Sequence, residues 1–253
     1  MNKDKALKKF EKEVKEIEEE IRKIETELVE RPMGFFNKLF DAVPAPYIGL
    51  IGYLSFSSFI LVAFILYIIE DPTFSIFNNW ISQLSVGEEG SNFFFFLALS
   101  VSSPFIFLFH YSLVNNFYFK TNKVGILLYL YSAASTETTG RFFAGIFPLT
   151  LHKVHGFFAI MYFFGAFAFY SGLFYLFFTI KNESNRNKKL LLCGATAIMT
   201  AFFQIAEIYS SLTGDLFPFI SNFLLEWFVY LTYLFTNFGI ILINLMEKNI
   251  IKI

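Results

Sequence analysis

Residues 132–164 read SAASTETTGRFFAGIFPLTLHKVHGFFAIMYFF, and they place Glu137, Arg141, His152 and His155 inside or beside two segments that otherwise resemble membrane-buried helix. Glu137 and Arg141 stand four apart with the acid first, so on a helix they share one face in the favourable order for pairing. An ionised side chain near mid-bilayer costs about 2.5 to 3.5 kcal/mol or more, so such residues face a bundle interior or a wet cavity. The spacing therefore predicts a polar site within a helical membrane body.

Composition supports the membrane reading. Of 253 residues, 55% are hydrophobic and 21% aromatic, with 38 phenylalanines and a mean hydropathy of +0.54, outside the habit of water-soluble domains. The charge is concentrated at one end: residues 1–31 hold 9 of the 20 Lys and Arg and 10 of the 21 Asp and Glu. No basic run is long enough for nucleic acid. The single cysteine, Cys193, excludes an intrachain disulfide and a cysteine-rich metal site, and reads as a small packing residue. The first apolar run begins near Pro46 behind a charged helix, so no cleavable signal peptide is expected.

In residues 1–31 the apolar positions Leu7, Phe10, Val14, Ile17, Ile21, Ile24 and Leu28 alternate spacings of three and four, a coiled-coil seam. Its e and g flanks are Glu11, Glu18, Glu25, Glu13, Glu20 and Glu27, which repel one another in a homodimer. The partner expected for this cytoplasmic helix is heterotypic, with basic flanks. Pro32, Gly34, Pro44 and Pro46 break the helix and make residues 32–45 an interfacial linker.

Six apolar runs follow, near 46–69, 92–118, 124–147, 154–180, 190–212 and 219–246, each long enough for a hydrocarbon core of about 30 Å. They form the domain 46–246, and residues 247–253 form a tail. Arg31, Lys38, Lys120, Lys123, Lys181, Arg186, Lys188, Lys189, Lys248 and Lys252 fall on one side, and Lys153 alone on the other, so both termini are predicted to be cytoplasmic. The fold class expected is an all-α membrane protein, a six-helix transmembrane bundle preceded by a cytoplasmic coiled-coil helix.

The longest outer loop carries Phe77, Trp80, Ile81 and Leu84 at helical spacing, predicting a short interfacial helix ended by Gly87 and Gly90. At about 1.5 Å of rise per residue, Arg141, Glu207 and Glu226 reach a similar depth beneath the outer surface. Gln204 lies one turn deeper than Glu207, Trp227 adjoins Glu226, and His155 opens the fourth span. Glu137, Arg141, His155, Gln204, Glu207, Glu226 and Trp227 are therefore the candidate polar pocket, with membrane lipid as the ligand class. Arg141 suits phosphate. No catalytic residue, metal or cofactor is assigned. Two alternatives stay open: a proton-coupled small-solute transporter using Glu137, and an intramembrane metal hydrolase using His152, His155 and a glutamate. His110 lies too far from those two histidines to share an ion with them.

The segments WISQLSVGEEGSNFFF (80–95), FPLTLHKVHGFFAIMYF (147–163) and LLEWFVYL (224–231), on six spans, resemble the DRAM-like six-span superfamily. That group includes the damage-regulated autophagy modulators, proteins of GPI-anchor lipid remodelling, and prokaryotic members without assigned function. The resemblance implies that Trp80, Ile81, Ser82 and Gly87 correspond to a loop signature, Phe147 and His155 to residues around the fourth span, and Glu226 and Trp227 to a Glu-Trp pair. Gln83 stands where an acid is expected, and the proline usual later in that loop is missing. What the resemblance implies is a lipid-associated membrane protein without established catalysis.

Overall fold

The computed structural model describes residues 12, 14–17, 19–20, 38–40, 42–88, 90–117, 120–121, 123–181, 183–213 and 222–247, and no strand occurs among them. Helix α1, Ala45–Glu70, opens on Pro44, Ala45 and Pro46, where a missing amide donor costs nothing. The second long helix is built in three parts: α2, Ser91–Phe96, a π-helical turn at Leu97–Val101, and α3, Ser103–Asn115. Pro104 cannot donate to the preceding turn, and the hydroxyls of Ser102 and Ser103 donate to the carbonyls of Ala98 and Leu99 instead. Helices α4, Val124–Ile146, α5, His152–Thr179, α6, Arg186–Thr213, and α7, Asn222–Glu247, complete the body.

The long helices pack in a closed circuit, α1 on α3, α3 on α4, α4 on α5, α5 on α6, α6 on α7, and α7 back on α1. The tightest crossing is α4 on α5. A Cβ built on Gly140 would stand 2.3 Å from the Tyr162 nitrogen, and one on Gly165 2.3 Å from the Glu137 nitrogen. Backbone meets backbone there, as small residues permit in membrane bundles.

Among the described residues, five helices are long and apolar enough to cross a membrane: Ala45–Glu70, Ser91–Asn115, Leu149–Thr179, Arg186–Ser210 and Asn222–Glu247. The expectation of six is met by five on that measure. Val124–Ile146 has 23 residues, about 34 Å of helix, but its Ser132–Arg141 stretch makes it too polar to qualify. Outward faces carry large apolar side chains such as Leu61, Ile69, Ile160, Ile198, Leu212 and Phe235, while the charged residues of α4 point inward. That is the reverse of a water-soluble helix and suits a lipid solvent.

The coiled-coil seam lies largely outside the described residues, which exclude Leu7, Phe10, Ile21, Ile24 and Leu28. Val14 and Ile17 are helical and exposed, and Lys12 pairs with Glu16 at 3.5 Å on the same helix.

Candidate functional site

Glu137 and Arg141 lie at the centre of the circuit and are fully buried. One carboxylate oxygen of Glu137 accepts from Arg141 Nη2 and from the Tyr233 hydroxyl, and Arg141 Nη2 also donates to Tyr233. The other carboxylate oxygen faces His110 Nδ1 at 3.0 Å. His110 Nε2 faces the hydroxyl of Tyr53 at 2.8 Å, Asn237 Oδ1 at 3.3 Å and the hydroxyl of Tyr170 at 3.4 Å. Tyr170 donates to Asn237 Oδ1 at 2.8 Å, and Tyr53 to Tyr233 at 3.0 Å. Five helices, α1, α3, α4, α5 and α7, thus contribute to one hydrogen-bonded network.

Arg141 Nε and Nη1 meet no hydrogen-bond acceptor of good geometry. The guanidinium instead lies among rings, 5.1 Å from Phe56, 4.9 Å from Tyr162 and 4.7 Å from Tyr233. Ring quadrupoles attract a desolvated cation, so these contacts offset part of its burial cost. Opposite charge and aromatic faces together explain how an arginine persists in an apolar body.

Beside the turn that holds Ile81 and Ser82, a cavity of about 40 Å³ is lined by His155 and Glu226 among Phe56, Leu99, Ala159 and Tyr162. Glu226 accepts the Ile81 amide at 2.7 Å, at the start of the 3-10 turn Ile81–Ser85. Trp227 Nε1 donates to the Asn79 carbonyl at 3.0 Å. The Glu226-Trp227 pair therefore clasps the loop across the bundle, and Leu149 N adds a 2.9 Å bond to Ser85 Oγ. Gln83 Oε1 accepts the Trp80 amide at 2.8 Å, which needs an oxygen but no charge. Ser82 lines the cavity, Trp80 packs on Phe223, and a Cβ on Gly87 would meet Tyr67 at 2.5 Å. His155 donates from Nδ1 to the Phe147 carbonyl at 2.7 Å. That bond leaves Nε2 of the neutral ring as an acceptor.

Of the seven residues expected in one pocket, His155 and Glu226 line this cavity. Glu137 and Arg141 belong to the central network, with Phe56 and Tyr162 common to both surroundings. Glu207 accepts from Asn222 at 2.8 Å, and Gln204 is half-buried on the same helix. Arg141, Glu207 and Glu226 share a depth in sequence, yet each is bonded to a different partner.

His110, Tyr53, Tyr170, Tyr233 and Asn237 were not foreseen. Counting residues along the helices sets His110 and Glu137 at different depths, yet His110 Nδ1 stands 3.0 Å from Glu137 Oε2. The available signal was the recurrence of single tyrosines and an asparagine deep in otherwise apolar helices.

At the opposite end Lys189, 2% exposed, pairs with Glu183 at 2.8 Å and Glu247 at 3.1 Å, and Lys120 also pairs with Glu183 at 2.8 Å. Burial pushes the Glu183 carboxyl up, but hydrogen bonds from Lys120 and Lys189 outweigh it and hold the group below the ordinary carboxylate range.

No family model, curated protein or solved structure matches this chain. Its class follows from the fold itself: an integral multi-pass membrane protein, all-helical in its described residues, with charged side chains sealed inside.

Proposed function

We propose that this is a six-span, lipid-binding membrane protein related to the DRAM-like superfamily, with both termini cytoplasmic and α4 as the sixth, internally charged span. The observation that carries the lipid reading is the cavity beneath the clasped loop, where His155 and Glu226 stand among aromatic and aliphatic walls. No Lys or Arg is among its described lining residues, and Arg141 is committed to Glu137, so the chemistry suits an amine- or hydroxyl-bearing headgroup rather than a phosphate. At about 40 Å³ the cavity has room for a few waters, and a headgroup requires it to widen. The acidic flanks of residues 1–31 would engage a basic coiled-coil partner.

Native mass spectrometry tests this reading. Purified protein should retain an amine-bearing phospholipid, and Ala159→Trp, which fills the cavity, should lose it. Equal retention by both proteins contradicts it.

A second reading, a proton-coupled carrier, is favoured by the contact of Glu137 with His110 inside a chain of hydroxyls. It predicts uptake into liposomes driven by a pH gradient and abolished in Glu137→Gln. The hydrolase reading finds no group of three His, Cys, Asp or Glu placed to hold a metal among the described residues.

A further inference from the structure

At the end of the bundle where α1 and α6 begin and α3 and α7 finish lies a second cavity, of about 310 Å³. It is several times larger than the cavity beside Ile81 and reaches the size at which ligand pockets begin, about 300 Å³. Its described lining includes Lys120, Glu183, Lys189 and Glu247, with the carboxamides of Asn116 and Asn244.

The charged groups hold one another without exhausting what they can bond. Glu183 Oε1 accepts from Lys189 Nζ and Oε2 from Lys120 Nζ, each at 2.8 Å. Glu247 Oε2 accepts from Lys189 Nζ and Oε1 from Asn185 Nδ2, each at 3.1 Å. Every one of these oxygens keeps a second lone pair, while Lys189 keeps one ammonium hydrogen and Lys120 two beyond these bonds. The Lys189 and Glu183 side chains are only 3% and 7% exposed, so what they still offer is offered to the cavity they line. Two ammoniums and two carboxylates sum to no net charge.

A hydroxyl matches that offer, because its single oxygen accepts from an ammonium and its hydrogen donates to a carboxylate. A phosphate brings negative charge against Glu183 and Glu247, and an amine brings positive charge against Lys120 and Lys189. Phe40, Ala45 and Pro46 add an apolar wall for the C–H face of a ring that carries several hydroxyls. We propose that this cavity binds a neutral polyhydroxylated group, a sugar or cyclitol, either as a free molecule or as the headgroup of a lipid. The site is separate from the cavity of His155 and Glu226 and does not depend on the reading drawn from it.

Saturation-transfer difference NMR of the full chain in a sugar-free detergent tests the free source, with myo-inositol, glucose and glycerol as probes. Native mass spectrometry tests the lipid source, comparing monoglucosyl diacylglycerol with diacylglycerol, which differ only by the sugar. Saturable transfer to at least one free polyol assigns a soluble ligand, and retention of the glucosyl lipid alone assigns a headgroup. In either case Ala45→Trp, which fills the cavity, should abolish binding, and Asn244→Leu should weaken it about twofold to tenfold, the effect of one or two lost hydrogen bonds. If Ala45→Trp does not fold, Asn244→Leu carries the comparison. Absence of binding in both experiments, binding that the folded variants leave unchanged, or displacement of the polyol by an equal concentration of inorganic phosphate overturns the proposal.

Discussion

Gly165 of α5 lies directly against the backbone of Glu137 on α4, so that a Cβ at position 165 would stand 2.6 Å from the Glu137 Cα. The charged pair is held at the bundle centre by an absent side chain. Gly165→Ala and Gly140→Ala should each destabilise the protein by about 1 to 3 kcal/mol or more, because rigid backbone must move. Gly125 and Gly156 lie on the same two helices with nothing within 4 Å of a built Cβ. Their alanine variants should be neutral or stabilised by up to about 1 kcal/mol. Thermal unfolding in one detergent compares all four.

Removing one member of the buried pair leaves an uncompensated charge. Arg141→Met should cost about 3 to 5 kcal/mol. The double variant Glu137→Gln/Arg141→Met should cost less than the sum of the two single changes. Additive losses in unfolding midpoints would show that the two side chains do not act as a unit.

Stability should fall in acid through Glu183. Its carboxyl is held below the ordinary value by Lys120 and Lys189 despite burial. A group lowered in the folded state contributes stability that is present above its unfolded pKa, about 4.3, and lost as pH falls through the folded value. Glu183→Gln should therefore be less stable than the parent near pH 7 and show a flatter pH profile below about pH 5.

The loop clasp makes a separate prediction. Glu226→Gln keeps an oxygen for the Ile81 amide, whereas Glu226→Leu removes it. Hydrogen exchange at residues 79–85 should accelerate by up to about tenfold in Glu226→Leu, as one lost hydrogen bond of about 0.5 to 1.5 kcal/mol implies, and change less in Glu226→Gln. Trp227→Phe, which loses the bond to Asn79, should behave like a weaker form of Glu226→Leu.

Helix was legible because runs of more than twenty apolar residues admit no other backbone in lipid, and the Glu137-Arg141 pairing followed from their spacing of four. The partners of that pair were hidden. Depth counted from helix ends placed Arg141 with Glu207 and Glu226, but depth leaves rotation about each helix axis undetermined. Rotation is set by packing, here by Gly140 and Gly165 and by the π-helical turn before His110. The polarity of Val124–Ile146 is divided between two faces: Glu137, Thr138 and Arg141 are buried, whereas Ser132, Ser135 and Thr139 lie on an exposed stripe with Tyr129, Phe142 and Ile146.

Whether α4 crosses the membrane as a buried, charged span is the claim on which the rest depends. In a Cys193→Ser background, Thr121→Cys and Thr150→Cys place single thiols at its two ends, to be challenged in sealed, right-side-out vesicles with a membrane-impermeant reagent. Labelling of Thr150→Cys from outside, with Thr121→Cys protected until the vesicles are opened, is the predicted result. Equal labelling of both thiols in sealed vesicles would place the two ends on one side and contradict the account.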